Sequence, residues 1–453
     1  GGGEGEGLGG SGELCEEMQW RHLVAGLCFI GLTTNYAARA NMGIVAAEEG
    51  ALPLYDSRGL VLGAFLVGYA CIQVPSGLLA RAVGARPVLL LSASLLALCE
   101  GLTPMLAGSG LGLLLLSRLG AGAGAGLFVP ALLQLVSRWV PTAERASLMT
   151  FIVSGANVGP IAAMAVSPRL ARARGAGAAF GFWGCAVGCW ALALLLLTSS
   201  EPSEHGPCRR SGEAEFIRKR TPDSSLKAVP VFQLLRHSSC WGVIAGQIGF
   251  DFGWQLLLNW LPAYLMQPGV GLDLAQYPLL AALPYLCGWL GANSAGRVVE
   301  IALRSKALRL RRRHATKAAQ LLGAGFGAGL LLVSASAPSQ AVALAAVLAA
   351  LFCYQWQMAG FVVSMMDVCP NDAGTFMGVA NTFSMLAGAV AQPVMDSILA
   401  STGSWLAALG CAGGAALTGA LVFVALADDR DVSQACGDPS TLAGAWEEYP
   451  AAA

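Results

Sequence analysis

The sequence predicts an all-α membrane protein with twelve transmembrane helices in two six-helix halves, and three observations support this fold class. Hydrophobic residues make up 55% of the 453-residue chain and charged residues only 12%, about half the charged fraction of an ordinary soluble domain. The chain divides into twelve apolar stretches, each long enough to cross a bilayer core of about 30 Å as a helix. A polar segment separates the first six stretches from the last six.

The halves are bounded by this polar segment and by two tails. We expect a disordered tail at 1–20, a first half at 21–198, a cytoplasmic linker at 199–236, a second half at 237–427 and a disordered tail at 428–453. The linker contains several prolines and a basic run, which is typical of a solvated segment. The predicted helices are 22–46, 59–80, 86–107, 110–136, 145–166, 178–198, 238–266, 277–299, 316–336, 339–366, 373–399 and 405–427.

Positive residues orient the bundle, because Lys and Arg in short loops are retained on the cytoplasmic side. If both termini lie inside, the inner loops hold 19 of the 27 Lys and Arg residues and the outer loops hold four, Arg58, Arg169, Arg172 and Arg174. We therefore expect a multi-pass integral membrane protein with both termini on the cytoplasmic or stromal side. The chain begins with Gly1, so we expect any targeting peptide to lie outside this sequence. The plastid envelope, another organelle and the plasma membrane are all compatible with the pattern.

Other functional classes are disfavoured by composition. Lys plus Arg and Asp plus Glu are equal at 27 each, so net charge gives no reason to expect a nucleic-acid partner. The 13 cysteines form no CxxC pair and have no metal-ligand spacing with the four histidines. We therefore expect no metal and no cofactor. No histidine falls in the interior of a predicted helix, since His22 stands at the very start of the first one, which disfavours a histidine proton relay.

Ionisable residues within the predicted helices are the candidates for function, because charge at membrane depth costs several kcal/mol unless it faces a cavity or a partner. Arg39 and Arg118 both lie about 10 Å below the outer surface at 1.5 Å per helical residue, and Asp251 lies near mid-membrane. Two arginines at one level make a site for an anion, since the guanidinium binds carboxylate or phosphate oxygens with two donors. The full set is Arg39, Glu100, Arg118, Asp251, Asp367 and Asp396.

Structural alternatives exist for each of these residues. Arg39 could reach Glu48 or Glu49 in the outer loop, and Arg118 could pair permanently with Asp251 or Glu100. Asp367 ends the tenth predicted helix, where a cap or gate is expected. Asp396 lies near an outer helix end, where we expect it to be solvated. The basic run 309–314 could bind anionic membrane lipid or anchor an inner loop.

A set of motifs is spread over nine of the predicted helices and covers roughly residues 20–430. The first helix carries a Tyr-x-x-Arg-x-Asn pattern at Tyr36, Arg39 and Asn41. Further motif positions are Arg118, Pro130–Ala131, Ser137–Pro141, Glu144–Arg145, Ser154–Gly155, Trp260–Tyr264, Asp367, Pro370, Ala373–Gly374, Gly378, Asn381 and Gly403–Trp405. Together they resemble the anion–cation symporter family of the major facilitator superfamily, which includes vesicular glutamate transporters, sialin and organellar phosphate transporters of plants and algae.

The resemblance implies the major facilitator fold and proton- or sodium-linked transport of a small anion. It implies that Arg39 and Arg118 contact the substrate, and we add Tyr36 and Asn41 from the same motif. Gating or structural roles are expected for Asp367, Asn381, Glu300 and Arg145. A weak internal repeat is expected for a transporter built from two parallel repeats: Gly296–Glu300 follows the eighth helix as Gly77–Arg81 follows the second, and Ala380–Asn381 matches Ala156–Asn157.

This chain also departs from the family pattern. Family members usually carry a glutamate beyond the fourth-helix arginine, at the position of Ala125 here, which puts the coupling ion in doubt. The histidine and the seventh-helix arginine of vesicular glutamate transporters fall at Leu62 and Phe250. Arg81 stands where the superfamily usually has an acid. A vesicular glutamate carrier is therefore a less favoured member than a phosphate carrier.

From these observations we expect a secondary active transporter and not an enzyme, working by alternating access. Its partners would be a small anion, inorganic phosphate first, and a sodium or proton coupling ion. Asp251 and Glu100 are the candidates for charge balance and for the coupling proton. An organic-anion carrier of the same fold and a non-transporting receptor or scaffold are the alternatives. A membrane enzyme would need a reactive group that no motif supplies.

Overall fold

A computed structural model describes residues 19–48, 50, 52–54, 56–220, 235–304, 312–368 and 373–428, and within these ranges it contains helices and no strand. Twelve helices have 22 residues or more, which confirms the all-α fold class. The first half contains α1 (Trp20–Val45), α2 (Arg58–Val83), α3 (Ala85–Gly108), α4 (Leu111–Trp139), α5 (Thr142–Arg174) and α6 (Ala176–Leu197). The second contains α7 (Ser238–Met266), α8 (Pro278–Arg304), α9 (Arg312–Ala335), α10 (Gln340–Val368), α11 (Ala373–Thr402) and α12 (Trp405–Leu426). The tails expected to be disordered lie almost entirely outside the described residues.

Most of these helices are suited to cross a membrane by themselves. Among the described residues, nine helices are long and apolar enough to do so, and the three remaining long helices are α1, α7 and α8. Both α1 and α7 bury several polar side chains. A helix that buries polar groups at membrane depth does so against protein or a wet cavity. These two helices are therefore the ones that face the interior of the bundle.

The linker begins with ordered structure. Two short helices, Gly206–Arg210 and Glu213–Arg220, bury the side chains of Cys208 and Ile217. Glu213 accepts hydrogen bonds from the backbone N–H of Trp20 at 2.7 Å and from Arg21 Nη1 at 3.1 Å. This part of the predicted linker therefore packs on the first half beside Trp20, while the basic residues Arg209, Arg210 and Arg218–Arg220 stay exposed. Residues 221–234 lie outside the described ranges.

Close helix contacts in the first half require glycine. A Cβ added to Gly122 on α4 would lie 1.9 Å from the carbonyl oxygen of Phe65 on α2, and one added to Gly68 would lie 2.1 Å from the carbonyl oxygen of Leu119. Because the obstructing atoms belong to helix backbones, a side-chain movement cannot relieve the overlap. The glycines thus set the spacing of α2 and α4, as small residues do between membrane helices.

Gly122→Ala is expected to destabilise the protein by about 1 to 3 kcal/mol, the usual cost of overpacking. The measurement is the thermal midpoint of purified protein in detergent, which should fall by several degrees. Gly181→Ala on α6 is the matched control, because a Cβ there meets nothing within 4 Å, and its midpoint should not fall. Equal midpoints for the Gly122 variant and wild type would show that α2 and α4 do not pack this closely.

The two halves meet through three helix pairs, α1 with α7, α2 with α11 and α5 with α8. The hydrogen bonds and ion pairs that Arg39, Gly59, Arg169 and Arg172 make with the second half lie at the level of Arg39 or nearer the end that carries Arg58 and Arg172. We call this the outer end, following the orientation predicted from the positive residues. With that orientation, these contacts close the outer side of the bundle.

Charged groups close the outer end. Arg172 Nη1 lies 2.6 Å from Asp273 of the other half and its Nη2 lies 3.1 Å from Glu48. The hydrogen bonds from Arg172 hold the pKa of Asp273 below its ordinary value, with a smaller contribution from backbone N–H groups. Because the pKa of Asp273 is lowered, the ion pair is fully stabilising at pH values above the ordinary pKa of an aspartate. This stabilisation is lost as the pH falls through the lowered pKa and the carboxylate is protonated. The pair is therefore fully ionised at neutral pH.

A second contact corrects the prediction for Asp396. This residue was expected to be solvated, but its Oδ2 accepts a hydrogen bond of 2.7 Å from the backbone N–H of Gly59, in the first turn of α2. The carboxylate thus satisfies a free donor at a helix N-terminus, where negative charge is favourable. Beside it, the guanidinium of Arg58 lies 4.4 Å from the ring centre of Trp260. Both contacts join the two halves.

Breaking the Arg172–Asp273 pair is expected to shift the carrier away from the outward-closed state. In Asp273→Ala, spin labels across the outer end should show a larger population at long distance, measured by double electron–electron resonance. The effect should be small, because the pair is partly exposed and such pairs contribute about 1 kcal/mol or less. The exchanged pair Arg172→Asp with Asp273→Arg should restore the wild-type distribution. Identical distributions in all three proteins would contradict a role for this pair in closure.

Candidate functional site

The site is built around Arg39 on α1, where the two halves meet. Its side chain is 5% exposed, and its guanidinium carbon lies 5.5 to 5.7 Å from the ring centres of Tyr36, Phe65 and Tyr69. Such distances allow attraction between the cation and the aromatic faces. Nη2 donates a hydrogen bond to Oε1 of Gln255 on α7. The Nε donor is buried and has no partner.

No carboxylate lies within ion-pair distance of Arg39 in the part of the chain that the structure describes. The alternative partner Glu48 pairs with Arg172, and Glu49 is outside the described residues. Asp251 on α7 faces Arg39 at longer range, close enough to interact electrostatically with it. A buried guanidinium whose charge is not neutralised by direct contact is costly. An anionic ligand that contacted Arg39 would supply the missing negative charge.

Asp251 belongs to a row of polar residues along α7. Gln247, Asp251, Gln255 and Asn259 recur every four residues and all are buried. Residues four apart share one face of a helix, so the row forms a polar stripe that runs along the interface between the halves. Gln247 Nε2 lies 3.4 Å from Asp251 Oδ2 and 3.4 Å from Ser384 Oγ on α11.

Arg118 on α4 is held differently from Arg39. Its Nη1 lies 2.8 Å from Glu100 Oε1 on α3, and the two side chains are 1% and 0% exposed. Of the two pairings considered from the sequence, the structure therefore shows the one with Glu100 and not the one with Asp251. In this conformation Arg118 is neutralised and closed to solvent. The predicted substrate contact is not formed here.

Phe65 connects the two arginines. Its ring centre lies 5.5 Å from the guanidinium carbon of Arg39 and 5.3 Å from that of Arg118. The two carbons are therefore no further apart than the sum of these distances, 10.8 Å. Both guanidinium groups therefore border the same phenylalanine ring.

The other two predicted substrate residues take different positions. Tyr36 lies against Arg39 and borders the site. Asn41 is fully buried, and neither polar atom of its side chain has a hydrogen-bond partner. It lies beside Glu100, whose Oε2 is also buried without a partner. Asn41 thus belongs to the Arg118–Glu100 pair and not to the surroundings of Arg39.

The predicted gating residues are dispersed. Asn381 on α11 accepts from Gln247 Nε2 at 3.3 Å and lies beside Tyr69 of the other half, so it borders the site. Arg145 Nη2 donates to the carbonyl oxygens of Ser137 and Val140 at 3.0 and 3.3 Å, which satisfies the last turn of α4.

The last two gating residues lie at the inner side of the second half. Asp367 shares an inner surface with Arg313 and Lys317. The side chain of Glu300 is not among the described ones.

Sequence reasoning missed several residues of this layer, namely Phe65, Tyr69, Gln247, Gln255 and Ser384. The row of four polar residues along α7 was visible in the sequence and would have identified two of them. The aromatic residues had no such pattern. Among the described residues, no three His, Cys, Asp or Glu side chains come together as a metal site would require.

Sequence comparisons agree on one class of protein. A family model described as Major Facilitator Superfamily matches residues 27–392. Probable anion transporter 5 of Arabidopsis thaliana is 28% identical over 384 residues, covering 84% of this chain and 88% of the relative. Sialin of Homo sapiens is 28% identical, covering 84% and 78%. The chloroplastic sodium-dependent phosphate transport protein 1 of A. thaliana is 27% identical, covering 86% and 76%.

Solved structures share the fold. The crystal structure of a D-xylose–proton symporter matches with a TM-score of 0.68 at 16% identity, covering 90% of this chain and 98% of the other. A bacterial homologue of the human lysosomal transporter Spinster, in an inward-facing and unoccupied conformation, matches with a TM-score of 0.65 at 16% identity, covering 96% and 100%. Both likenesses concern the fold alone.

Proposed function

Because the chain belongs to the Major Facilitator Superfamily, we propose that it is a secondary transporter of a small anion, with inorganic phosphate as the first candidate. One observation carries the proposal. Arg39 places a positive charge between the two halves, where it has no carboxylate in direct contact and retains a buried Nε donor without a partner. A planar guanidinium with free donors binds carboxylate or phosphate oxygens and keeps its charge at every working pH.

Phosphate is favoured by similarity and by the kind of donor present. One relative of similar coverage is named a sodium-dependent phosphate transport protein and others are named anion transporters. The described layer offers Arg39, Tyr36, Tyr69 and amide side chains as hydrogen-bond donors, which suit a compact oxyanion. Sialin supports the second candidate, an organic anion with a carboxylate.

Alternating access follows from how the halves meet. The outer end is closed by contacts from both halves, and Arg39 lies at the inner limit of those contacts. Separating the halves at the outer end and joining them at the inner end would expose the same arginine to the other side. Tyr36 and Asn381 border the anion in this proposal.

Coupling is assigned to the buried carboxylates. When Glu100 is ionised it neutralises Arg118, and when protonated it would free that guanidinium, which lies one phenylalanine ring away from Arg39. Proton and anion would then bind cooperatively, as symport requires. Asp251 is the second candidate, because it offsets the charge of Arg39 from across the interface. Sodium is the alternative ion.

Counterflow in proteoliposomes tests the proposed function. Vesicles loaded with unlabelled phosphate should accumulate external labelled phosphate transiently, and empty vesicles should not. Varying pH and sodium separately identifies the coupling ion. Glutamate or sialic acid that inhibits more strongly than phosphate itself would indicate the organic-anion carrier. Absence of counterflow with every anion would contradict transport and favour a receptor or scaffold.

The membrane and the orientation belong to the same proposal. We propose that both termini lie on the cytoplasmic or stromal side, on the basis of the positive residues of the inner loops. Several relatives are named chloroplastic, which favours a plastid membrane. Labelling of single cysteines placed beside Arg58 and beside Arg86 with an impermeant reagent in intact organelles would test the orientation.

A further inference from the structure

Gln255 occupies a distinctive place in the site. It is 2% exposed and lies on α7 of the second half, yet its amide oxygen accepts a hydrogen bond from Arg39 of the first half. Its stem packs on α11, since a Cβ added to Gly388 would lie 2.7 Å from Gln255 Cγ. The side chain is therefore held between α7 and α11 and points across the interface.

The orientation of the amide has a chemical reason. The oxygen faces a guanidinium, which only donates hydrogen bonds, and the NH₂ group faces Met385 Sδ at 3.4 Å. If the amide were turned over, its NH₂ group would face the guanidinium of Arg39, and both groups only donate hydrogen bonds. The partially negative amide oxygen thus contacts the same guanidinium that an anionic substrate would bind.

We propose that Gln255 takes the place of the anion on Arg39 in the empty carrier and thereby sets the affinity for substrate. The inference rests on the proposed function. A hydrogen bond from a charged donor is stronger than one between neutral groups, so an anion that binds Arg39 must replace a favourable contact. Affinity is lower than the arginine alone would give, because each binding event breaks this bond.

The same contact links occupancy to the position of the halves. When empty, Arg39 is joined directly to the second half through Gln255. When an oxyanion replaces the amide oxygen on Arg39, this direct link is broken, and the NH₂ group of Gln255 stays on Met385 of its own half. Gln255 therefore joins the halves through Arg39 in the empty state only.

Binding of inorganic phosphate to the purified full-length protein tests this inference, by titration calorimetry on wild type and two variants of opposite effect. Gln255→Ala removes the competing oxygen, and the Kd for phosphate should fall about three- to tenfold, the range expected for one hydrogen bond to a charged group. Gln255→Glu supplies a carboxylate that pairs with Arg39, and the Kd should rise more than tenfold. A misfolded variant would not bind more tightly.

Gln392→Ala is the matched control. Gln392 is a buried glutamine of the same half that accepts from Trp260 Nε1 at 3.0 Å, and its replacement should leave the Kd within twofold of wild type. Binding by wild type with an equal or higher Kd in Gln255→Ala would overturn the inference and leave the proposed function intact. Absence of phosphate binding in every protein, with tighter glutamate binding in Gln255→Ala, would support the inference for a different anion. Absence of binding by any anion would overturn both.

Discussion

Replacing Arg39 by glutamine is expected to reduce phosphate uptake to the level of empty liposomes. The substitution keeps hydrogen-bonding capacity and approximate length but removes the buried positive charge that faces Gln255 of the other half. Removing one partner of a buried, hydrogen-bonded charge pair costs several kcal/mol of binding free energy. This corresponds to at least a hundredfold loss of affinity for the anion. The measurement is the initial rate of labelled phosphate uptake at equal amounts of reconstituted protein.

Two further variants interpret this result. Arg39→Lys retains charge but not the planar pair of donors, so uptake should persist at a reduced rate with a raised KM. Arg138→Gln removes an arginine that is 44% exposed and pairs with Glu201, and it should transport as wild type does. Normal uptake by Arg39→Gln would show that the anion does not bind there.

Replacing either partner of the Arg118–Glu100 pair is expected to have effects of different kinds. Arg118→Gln leaves an ionised carboxylate in the interior without its partner, which costs about 3 to 5 kcal/mol, so the yield of folded protein should fall sharply. Glu100→Gln keeps the shape and an amide oxygen that can accept the hydrogen bond from Arg118, as a protonated Glu100 would, and it leaves a cation close to the proposed anion site. That variant should fold and exchange phosphate.

The functional consequence of Glu100→Gln separates a coupling role from a structural one. If the proton binds at Glu100, counterflow persists but uptake driven by a pH gradient is lost, because the variant cannot carry the proton. If the pair is only structural, the two activities change together. Fluorescence-detected size-exclusion chromatography reports folding, and the double variant Arg118→Gln with Glu100→Gln should recover part of the folded yield, since no charge is left unpaired.

The sequence predicted the fold because membrane helices follow from composition. Lengths of apolar stretches, and the single polar segment between halves, were enough to identify twelve helices, and apart from the end of α5 their bounds lie within about five residues of the predicted ones. Boundaries were less accurate where helices extend beyond the bilayer, as in α5, which was predicted as 145–166 and continues to Arg174. There the chain is polar, and hydropathy no longer marks the helix end.

The candidate site was predictable in its charges but not in its pairings. Arg39, Arg118, Asp251 and Glu100 were recognisable because ionisable residues at membrane depth are rare. Which of these side chains meet depends on the rotation of each helix about its axis and on which helices of the two halves are in contact. These are set by close contacts such as that of Gly122 with Phe65, which no single motif encodes.

Asp396 illustrates the same limit at the outer end. Near a helix terminus a carboxylate is ordinarily solvated, and nothing adjacent to it in sequence indicated otherwise. Its partner, the N–H of Gly59, lies 337 residues away. Only the packing of α2 against α11 brings the two together.

A cryo-electron microscopy comparison of the protein in phosphate-containing and phosphate-free buffer tests the central claim most directly. The account predicts density for an oxyanion against the Arg39 guanidinium, between α1 and α7, in the phosphate sample alone. It also predicts that the amide oxygen of Gln255 has left Arg39 in that sample. An anion found elsewhere in the bundle, or an Arg39 that keeps its contact with Gln255 while phosphate is bound, would contradict the account.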